Sequence, residues 1–280
     1  VYLFTRTGTT WTQQAYIKAS NTDEDDDFGI SVALSQDGNT LAVGATGEGS
    51  NATGVNGNQS DNSFGQAGAV YVFTRSGATW TQQAYLKPLF IGGGDLFGSS
   101  LSLSADGNTL AIGAQNEESS SAGINGDPTI NTFQPYGAAY IFLRTGTSWA
   151  QQTFFKASTP GSGDIFGTSV SLSSDGNTMA VGAEGEESNA TGLNGSESNN
   201  GSNDSGAVYL FVQSGSTWRQ HSYIKASNTS SFDRFGRKVA LSADGQTLAV
   251  GASFEDGNTQ GIQGNSNNDS ANEAGVVYLY

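Results

Sequence analysis

Apolar and polar residues alternate in short runs along this chain, and the runs return at a fixed interval of 69 residues. In the first complete interval, residues 30–34 and 40–43 alternate on either side of an Asp-Gly turn, and residues 69–75 and 80–87 on either side of a Ser-Gly turn. Alternation with period two is typical of strands, and such turns favour hairpins. Each interval therefore predicts four antiparallel strands.

The interval holds along the whole chain without an insertion. Its markers are four tryptophans, four Phe-Gly pairs and four Asp-Gly pairs: Trp11, Trp80, Trp149, Trp218; Phe28, Phe97, Phe166, Phe235; Asp37, Asp106, Asp175, Asp244. A four-stranded antiparallel unit at a fixed period is typical of a propeller blade. A stack of sandwiches is the alternative, but it would not need the same unit repeated without a linker.

Three segments recur in each interval, and in the first they read D-x-F-G-x-S-V (26–32), L-A-V-G-A (41–45) and G-A-V-Y-V-F (68–73). They resemble the FG-GAP repeat of integrin α-subunit propellers, and most closely the bacterial form found in large surface proteins. The resemblance implies an all-β fold, a β-propeller of four-stranded antiparallel blades in one region, 1–280. The predicted blades are residues 28–87, 97–156, 166–225 and 235–280, with residues 1–18 completing a blade.

The last four residues repeat the pattern of the first four, so the chain holds a seventeenth strand that duplicates the first. In a closed four-bladed ring, residues 1–4 and residues 277–280 would then compete for the same strand position in one blade. The count favours an arc of a larger ring, of about seven blades, over a four-bladed ring. It also leads us to expect that the sequence is part of a longer chain.

The best-known FG-GAP repeats carry a calcium loop of the Asp-x-Asp-x-Asp type between their first two strands. Here that place holds a single carboxylate in each interval. One carboxylate cannot supply the six to eight oxygens that calcium takes. We therefore interpret Asp37 and its equivalents as turn formers.

A long polar loop between the second and third strands, residues 46–67 in the first interval, offers another oxygen-rich set. Its recurring candidates are Glu48, Asn56, Asn62, Glu117, Asn125, Asn131, Glu186, Asn194, Asn200, Glu255, Gln263 and Asp269. Carboxylates, amide oxygens and glycine-rich backbone suit calcium. One hypothesis is a calcium ion in each loop. The alternative is that these residues are solvated and make local turns.

Three further residues recur in each interval. The aspartates two positions before each Phe-Gly pair predict an Asx-type turn into the innermost strand: Asp26, Asp95, Asp164, Asp233. The lysines that end the fourth strand predict charged sheet edges: Lys18, Lys87, Lys156, Lys225. The tryptophans predict packing between blades, with sugar stacking as the alternative.

Composition narrows the function. The net charge of −15 argues against nucleic acid and anionic membranes as partners, and no apolar run approaches the length of a membrane span. The chain has no cysteine, which excludes disulfides and thiolate chemistry. The absence of cysteine does not fix the compartment, and the resemblance to FG-GAP repeats of surface proteins implies a secreted or cell-surface protein without membrane insertion.

Catalysis has little support in the sequence. The only histidine, His221, lies where the other intervals have glutamine, which argues against a catalytic triad. The last interval differs in carrying Arg237 and Lys238 on the predicted innermost strand, either to hold an acidic partner or to pair with neighbouring carboxylates. The sequence thus predicts an extracellular binding or adhesion module that is not an enzyme, with protein or carbohydrate as its ligand. The alternatives are a purely structural repeat and a polysaccharide lyase or hydrolase.

Overall fold

The strands follow the predicted alternation. The structure is a computed structural model that describes residues 1–262 and 270–280, and no helix among these residues is long and apolar enough to cross a membrane. The strands are β1 Tyr2–Thr7, β2 Thr10–Tyr16, β3 Ser31–Leu34, β4 Thr40–Ala45, β5 Ala69–Ser76, β6 Thr79–Leu86, β7 Phe97–Leu103, β8 Thr109–Ala114, β9 Ala138–Thr145, β10 Ser148–Phe155, β11 Phe166–Leu172, β12 Thr178–Ala183, β13 Ala207–Ser214, β14 Thr217–Ile224, β15 Phe235–Leu241, β16 Leu248–Ala252 and β17 Val276–Leu279.

Consecutive strands pair into separate antiparallel sheets. Three sheets have four strands in chain order: β3–β6 (blade 1), β7–β10 (blade 2) and β11–β14 (blade 3). Strands β15–β17 form blade 4, and β1–β2 form a hairpin of their own. Strand β17 takes the third place in blade 4, the place that β5 takes in blade 1. In the described part of the chain no sheet joins blade 4 to the hairpin, as the prediction of an arc requires.

The hydrophobic core lies between neighbouring blades. Val70 and Val72 of blade 1 pack in one cluster with Phe97, Leu110 and Ile112 of blade 2. The second strand of each complete blade is apolar on both faces, because a neighbouring sheet covers each face. Burial of β4 over its whole length follows from this arrangement. The sheets are therefore held face to face, and the interior blades 2 and 3 each contribute to two cores.

The glycines of the repeat allow the closest approach between blades. A Cβ on Gly113 in β8 would lie 2.1 Å from the carbonyl oxygen of Gly167 in the next blade. Gly137, with φ +78°, pairs in parallel with Phe166, whose carbonyl oxygen would lie 2.1 Å from an added Cβ. Only glycine fits these two positions. The Oγ of Ser100 then donates a hydrogen bond of 2.9 Å to the carbonyl of Gly167.

Three of the four tryptophans join the outer strands of neighbouring sheets, as predicted, whereas Trp11 is 64% exposed. The Nε1 of Trp149 in blade 2 donates to Oε1 of Gln83 in blade 1 at 2.9 Å, and Trp218 and Gln152 repeat this bond at 3.2 Å. Both rings are buried, and Arg144 lies over the Trp149 ring. Packing between blades therefore accounts for these tryptophans.

The two end blades expose faces that are covered elsewhere. Val170 and Leu172 of blade 3 are 7% exposed, whereas their equivalents Val32 and Leu34 in blade 1 are 55% and 51% exposed. At the other end, Leu279 in β17 is 73% exposed. The difference arises because an interior blade has a neighbour on each side.

Antiparallel pairing sorts the connections onto two ends of the arc. The turns β3–β4 and β5–β6, with their equivalents, leave one end of each blade, here called the hairpin end. The long loops β4–β5, β8–β9 and β12–β13 leave the other end, together with the links between blades. This second end is called the loop end, and it carries the residues considered below.

Candidate functional site

A buried lysine–glutamate ion pair recurs at the loop end of each complete blade. Lys87 Nζ lies 2.6 Å from Glu48 Oε2 in blade 1, and the same pairing joins Lys156 to Glu117 at 2.5 Å and Lys225 to Glu186 at 2.7 Å. The three lysines are 0% exposed. The interpretation of these three lysines as charged edges of the sheets is therefore wrong, because the long loop folds over them. Lys18, whose interval has no preceding loop, is exposed as predicted.

The ammonium groups have further partners in two blades. Lys87 Nζ donates to the Gly68 carbonyl at 2.9 Å, and Lys225 Nζ donates to Ser205 Oγ at 2.8 Å. Burial lowers the pKa of each lysine, and the adjacent glutamate opposes that shift. A buried charge needs a charged and hydrogen-bonded partner, so each pair fixes the start of its long loop against the end of the fourth strand.

The aspartates before the Phe-Gly pairs hold a turn at the predicted place, but it is not an Asx turn, in which the carboxylate would accept from the residue two positions later. Each carboxylate accepts the backbone N–H of the residue three positions earlier, in Asp95 from Gly92 and in Asp164 from Gly161, both at 2.6 Å. Both aspartates are 4% exposed. Burial raises their pKa to about 7, and the neighbouring glutamates Glu117 and Glu186 add to the shift. These carboxyls therefore titrate near neutral pH.

The ion pairs and the aspartates of successive blades lie close enough at the loop end to interact electrostatically. The ammonium of Lys156 interacts with Glu117 of its own loop and with the aspartates on both sides, Asp95 and Asp164. Lys225 repeats this arrangement with Glu186 and Asp164 in blade 3. Each lysine thus connects its own blade electrostatically to the next, and the loops are held by the chain's own charges.

The asparagines of the long loops also have internal partners. Asn56, with φ 56°, donates its N–H to the Tyr85 carbonyl at 2.7 Å and accepts the Tyr85 N–H on Oδ1 at 2.9 Å. Asn125 and Asn194 repeat both bonds in blades 2 and 3. Because of these bonds each loop adds a short segment to the edge of its fourth strand.

The remaining candidates have no common arrangement. Asn62 donates to the carboxylate of Asp23, Asn131 Oδ1 accepts the Phe133 N–H at 3.0 Å, and Asn200 is exposed. Glu255 is buried, and its carboxylate accepts from Gly257 N–H at 2.8 Å. Gln263 and Asp269 lie outside the described residues.

These contacts bear on the calcium hypothesis. Each of the three paired glutamates is bonded to an ammonium group, and the Oδ1 atoms of Asn56, Asn125 and Asn194 accept backbone N–H groups. Within residues 1–262 and 270–280 no group of three or more Asp, Glu or His side chains could hold a metal ion. The residues present therefore do not fit a calcium ion in each loop. The alternative of solvated residues is wrong for the three paired glutamates, because they are buried in ion pairs.

A calcium titration tests the two alternatives. We expect the thermal unfolding midpoint to stay within about 2 °C when millimolar calcium or EDTA is added, because internal ion pairs already hold the loops. Differential scanning calorimetry in the two buffers, with isothermal titration of calcium, measures this. A saturable heat with a rise of several degrees would restore the calcium hypothesis.

The loop end departs from its repeat pattern in blade 2. The link before this blade reads Pro-Leu-Phe-Ile at residues 88–91, where the other links read Ala-Ser-Asn-Thr or Ala-Ser-Thr-Pro. Leu89 and Phe90 are 54% and 52% exposed, and on the loop β8–β9 Ile130 and Phe133 are 50% and 81% exposed. Three of the chain's four prolines, Pro88, Pro128 and Pro135, lie in these two segments.

Two adjoining cavities lie between this link and this loop, and together they are called the blade 2 groove. The first, about 160 Å³, is mainly apolar and is lined by Leu89, Phe90, Asn125, Gly126, Pro128, Tyr140, Gln151 and Phe154. The second, about 210 Å³, is mainly polar and is lined by Phe90, Ile91, Gly92, Asp95, Glu117, Pro128, Thr129 and Asn131. Phe90 and Pro128 line both. The sequence analysis did not find this groove, although the break in the repeat at residues 88–91 marks it.

The two basic residues of β15, Arg237 and Lys238, have different surroundings. Arg237 Nε is 3.7 Å from Glu184 Oε2 of blade 3, and its guanidinium lies 5.2 Å from the centre of the Phe254 ring. This contact confirms that Arg237 pairs with a neighbouring carboxylate. Lys238 is exposed beside Val277, in a cleft of about 430 Å³.

An arc of four-stranded antiparallel blades joined through Phe-Gly contacts defines a protein of the β-propeller class. A sequence profile of the FG-GAP repeat matches residues 11–73, 149–211 and 218–280. The matched segments cover more than half of the chain, and the chain therefore belongs to the FG-GAP repeat family. No curated protein sequence matches it significantly.

Several solved structures have a similar course of the chain. Hydrazine synthase of Kuenenia stuttgartiensis is 14% identical with a TM-score of 0.45, over 85% of this chain and 46% of that one. Sqt1 of Saccharomyces cerevisiae is 10% identical with a TM-score of 0.43, over 84% and 44%. The periplasmic gluconolactonase PpgL of Pseudomonas aeruginosa is 15% identical with a TM-score of 0.39, over 89% and 70%. The chain spans less than half the length of the first two, and such similarity carries no information on activity.

Proposed function

We propose that this FG-GAP propeller segment is an extracellular binding or adhesion module, of a secreted or cell-surface protein, whose loop end contacts a protein or glycan ligand. The observation that carries the proposal is the concentration of asymmetry at the loop end. The blade cores repeat closely, whereas Leu89 and Phe90 in the link and Ile130 in the loop β8–β9 are exposed apolar residues where the other repeats have polar ones. Loops held on a rigid sheet scaffold are common binding sites.

The buried charges support this role by holding the loops in place. Lys156 and Glu117 tie the start of the loop β8–β9 to the end of β10 at 2.5 Å, so the loop's backbone is ordered before any ligand arrives. A preorganised surface binds with a smaller loss of conformational entropy than a mobile one. The loop end is therefore suited to recognition without rearrangement.

Binding rather than catalysis is the function we infer. The single histidine, His221, is exposed on the outer strand β14 and contacts Ser222. The carboxylates with a raised pKa, Asp95 and Asp164, occupy equivalent turn positions in successive blades, which a structural role in the repeat explains. An architectural repeat without a ligand is the competing function.

A two-part screen tests the proposal. The protein is probed with a glycan array and with a displayed library of random peptides, and saturable binding is expected in one of them. We expect any bound ligand to be lost when the loop β8–β9 is exchanged for the loop β12–β13. It should be kept when Thr147, at the hairpin end, is changed to lysine. Absence of any ligand, or a ligand that depends on the hairpin end, would favour the architectural repeat.

A further inference from the structure

The blade 2 groove combines two environments that a single ligand could occupy together. Its apolar part is lined by the rings of Phe90, Tyr140 and Phe154 and by Leu89. An engineered protein cavity of about 150 Å³ with apolar walls binds benzene, so the 160 Å³ here is suited to one aromatic ring or one leucine side chain. The groove is open on one side, because Leu89 and Phe90 are half exposed.

The polar part of the groove favours a positive charge. Asp95 and Glu117 line it, and Glu118 lies close enough to raise the pKa of Asp95. The ammonium of Lys156 is bonded to Glu117. The carboxyl groups of Asp95 and Glu118 therefore add acidic groups that this ion pair does not neutralise. The protein as a whole carries a net charge of −15, which attracts cations toward such a recess. Thr129 and Asn131 add hydrogen-bonding groups at the rim.

The equivalent places in the other blades are built differently. At the positions of Leu89 and Phe90 the other links have Ser20-Asn21, Ser158-Thr159 and Ser227-Asn228. In blade 1 the Ser20 hydroxyl bonds to Gln59, and the Asn21 amide bonds to Glu48 at 3.2 Å. The polar pair therefore ties the link to the long loop in blade 1. In blade 2 the apolar pair lines the groove instead, so the groove is a feature of this blade.

We propose that the blade 2 groove binds an extended basic segment of a partner protein, with an aromatic or leucine side chain in the apolar part and a neighbouring lysine or arginine in the acidic part. This inference rests on the proposed function, and it names the ligand class and the place. Successive side chains of an extended peptide point to opposite faces. The aromatic or leucine residue and the basic residue therefore face the groove together when one residue lies between them, or when they lie on a turn. Charge complementarity favours such a segment over an acidic polysaccharide.

The chain provides a matched variant for the test. The double substitution Leu89→Ser and Phe90→Asn gives blade 2 the link residues that stand before blades 1 and 4, so the backbone is known to accept them. The substitution Asp95→Asn removes a carboxylate while its amide oxygen can still accept the Gly92 N–H. Leu193→Ser is the control, because Leu193 is an apolar residue on the loop β12–β13, 61% exposed and outside the groove.

The experiment is a selection of random heptapeptides on the wild-type protein, with dissociation constants of the selected peptides measured by isothermal titration. We expect the selected peptides to share an aromatic residue or leucine close to lysine or arginine. The double variant should weaken them by about tenfold or more, because it removes the apolar anchor site. At pH 8, where the Asp95 carboxyl with its pKa raised to about 7 is ionised, Asp95→Asn should weaken them by about fivefold, because it removes a negative charge from the groove. Leu193→Ser should leave the dissociation constant unchanged.

Peptides without this pair of residues, or binding that the double variant leaves intact, would overturn the inference. A glycan that occupies the groove, or a ligand that depends on another part of the loop end, would also overturn it and leave the proposed function standing. If neither screen yields a ligand, both fall together. The double variant shows whether a ligand depends on the groove, and the exchange of the loop β8–β9 shows whether it depends on that loop.

Discussion

Replacing Lys225 with methionine is expected to lower the free energy of unfolding by about 3–5 kcal/mol. The substitution removes the ammonium that lies 2.7 Å from Glu186 Oε2 and leaves that carboxylate, 2% exposed, without its charge partner. It also leaves Ser205 Oγ without the donor that lies 2.8 Å away. Urea unfolding followed by tryptophan fluorescence measures the change, since Trp218 lies on the neighbouring part of the same strand.

The repeat itself offers the control for this prediction. Lys18 occupies the equivalent position in the first interval and is exposed, so Lys18→Met should change the stability by less than about 0.5 kcal/mol. Combining Lys225→Met with Glu186→Gln should recover much of the loss, because no buried charge then remains unpaired. Equal effects of the substitutions at Lys18 and Lys225, or no recovery in the double variant, would contradict the ion-pair explanation.

The stability of the wild-type protein relative to Asp164→Asn is expected to fall as the pH rises from about 4 to about 7. The Asp164 carboxyl has a pKa raised from 3.8 to about 7, chiefly by burial, so within this range the folded state holds a proton that the unfolded state has released. Stability falls with rising pH wherever the folded state binds more protons. A shift of about three units corresponds to at most about 4 kcal/mol, reached above pH 7.

Urea unfolding of the two proteins at several pH values between 4 and 8 measures this difference. At pH 4 they should be about equally stable, because asparagine can accept the Gly161 N–H as the protonated acid's carbonyl oxygen does. At pH 8 the asparagine variant should be the more stable one. The control is Asp127→Asn: the Thr129 hydroxyl and N–H lower the pKa of that exposed carboxyl, so its titration lies below this range. Parallel pH profiles for wild type and Asp164→Asn would refute the assignment.

The two predictions connect stability to the binding surface. The lysines, glutamates and aspartates that they address lie at the loop end, next to the loops that we propose as the ligand-binding surface. A substitution that weakens an ion pair should therefore also loosen the adjoining long loop. Asp95 is the equivalent of Asp164 in blade 2, and it lines the blade 2 groove. Its protonation therefore changes the negative charge that the groove offers to a basic ligand.

The interval of 69 residues by itself determined the fold of this protein. Alternating apolar residues and glycine turns specify strands and hairpins through local sterics, and the same unit repeated four times can bury its two apolar faces only against its neighbours. The positions of the strands and the packing of Trp149 and Trp218 between blades follow from this pattern. They are confirmed because each depends on contacts within a blade or between adjacent blades.

Only the tertiary structure decided how the polar residues are used. Lys87 and Glu48 are 39 residues apart, and nothing in either segment alone indicates that the loop folds back and buries both. The calcium hypothesis arose because a recurring glutamate and asparagine have the ligand chemistry of a metal site, whereas the fold gives the same oxygens to an ammonium and to backbone N–H groups. Long-range electrostatics depends on which distant segments meet, and a one-dimensional pattern of charges does not contain that information.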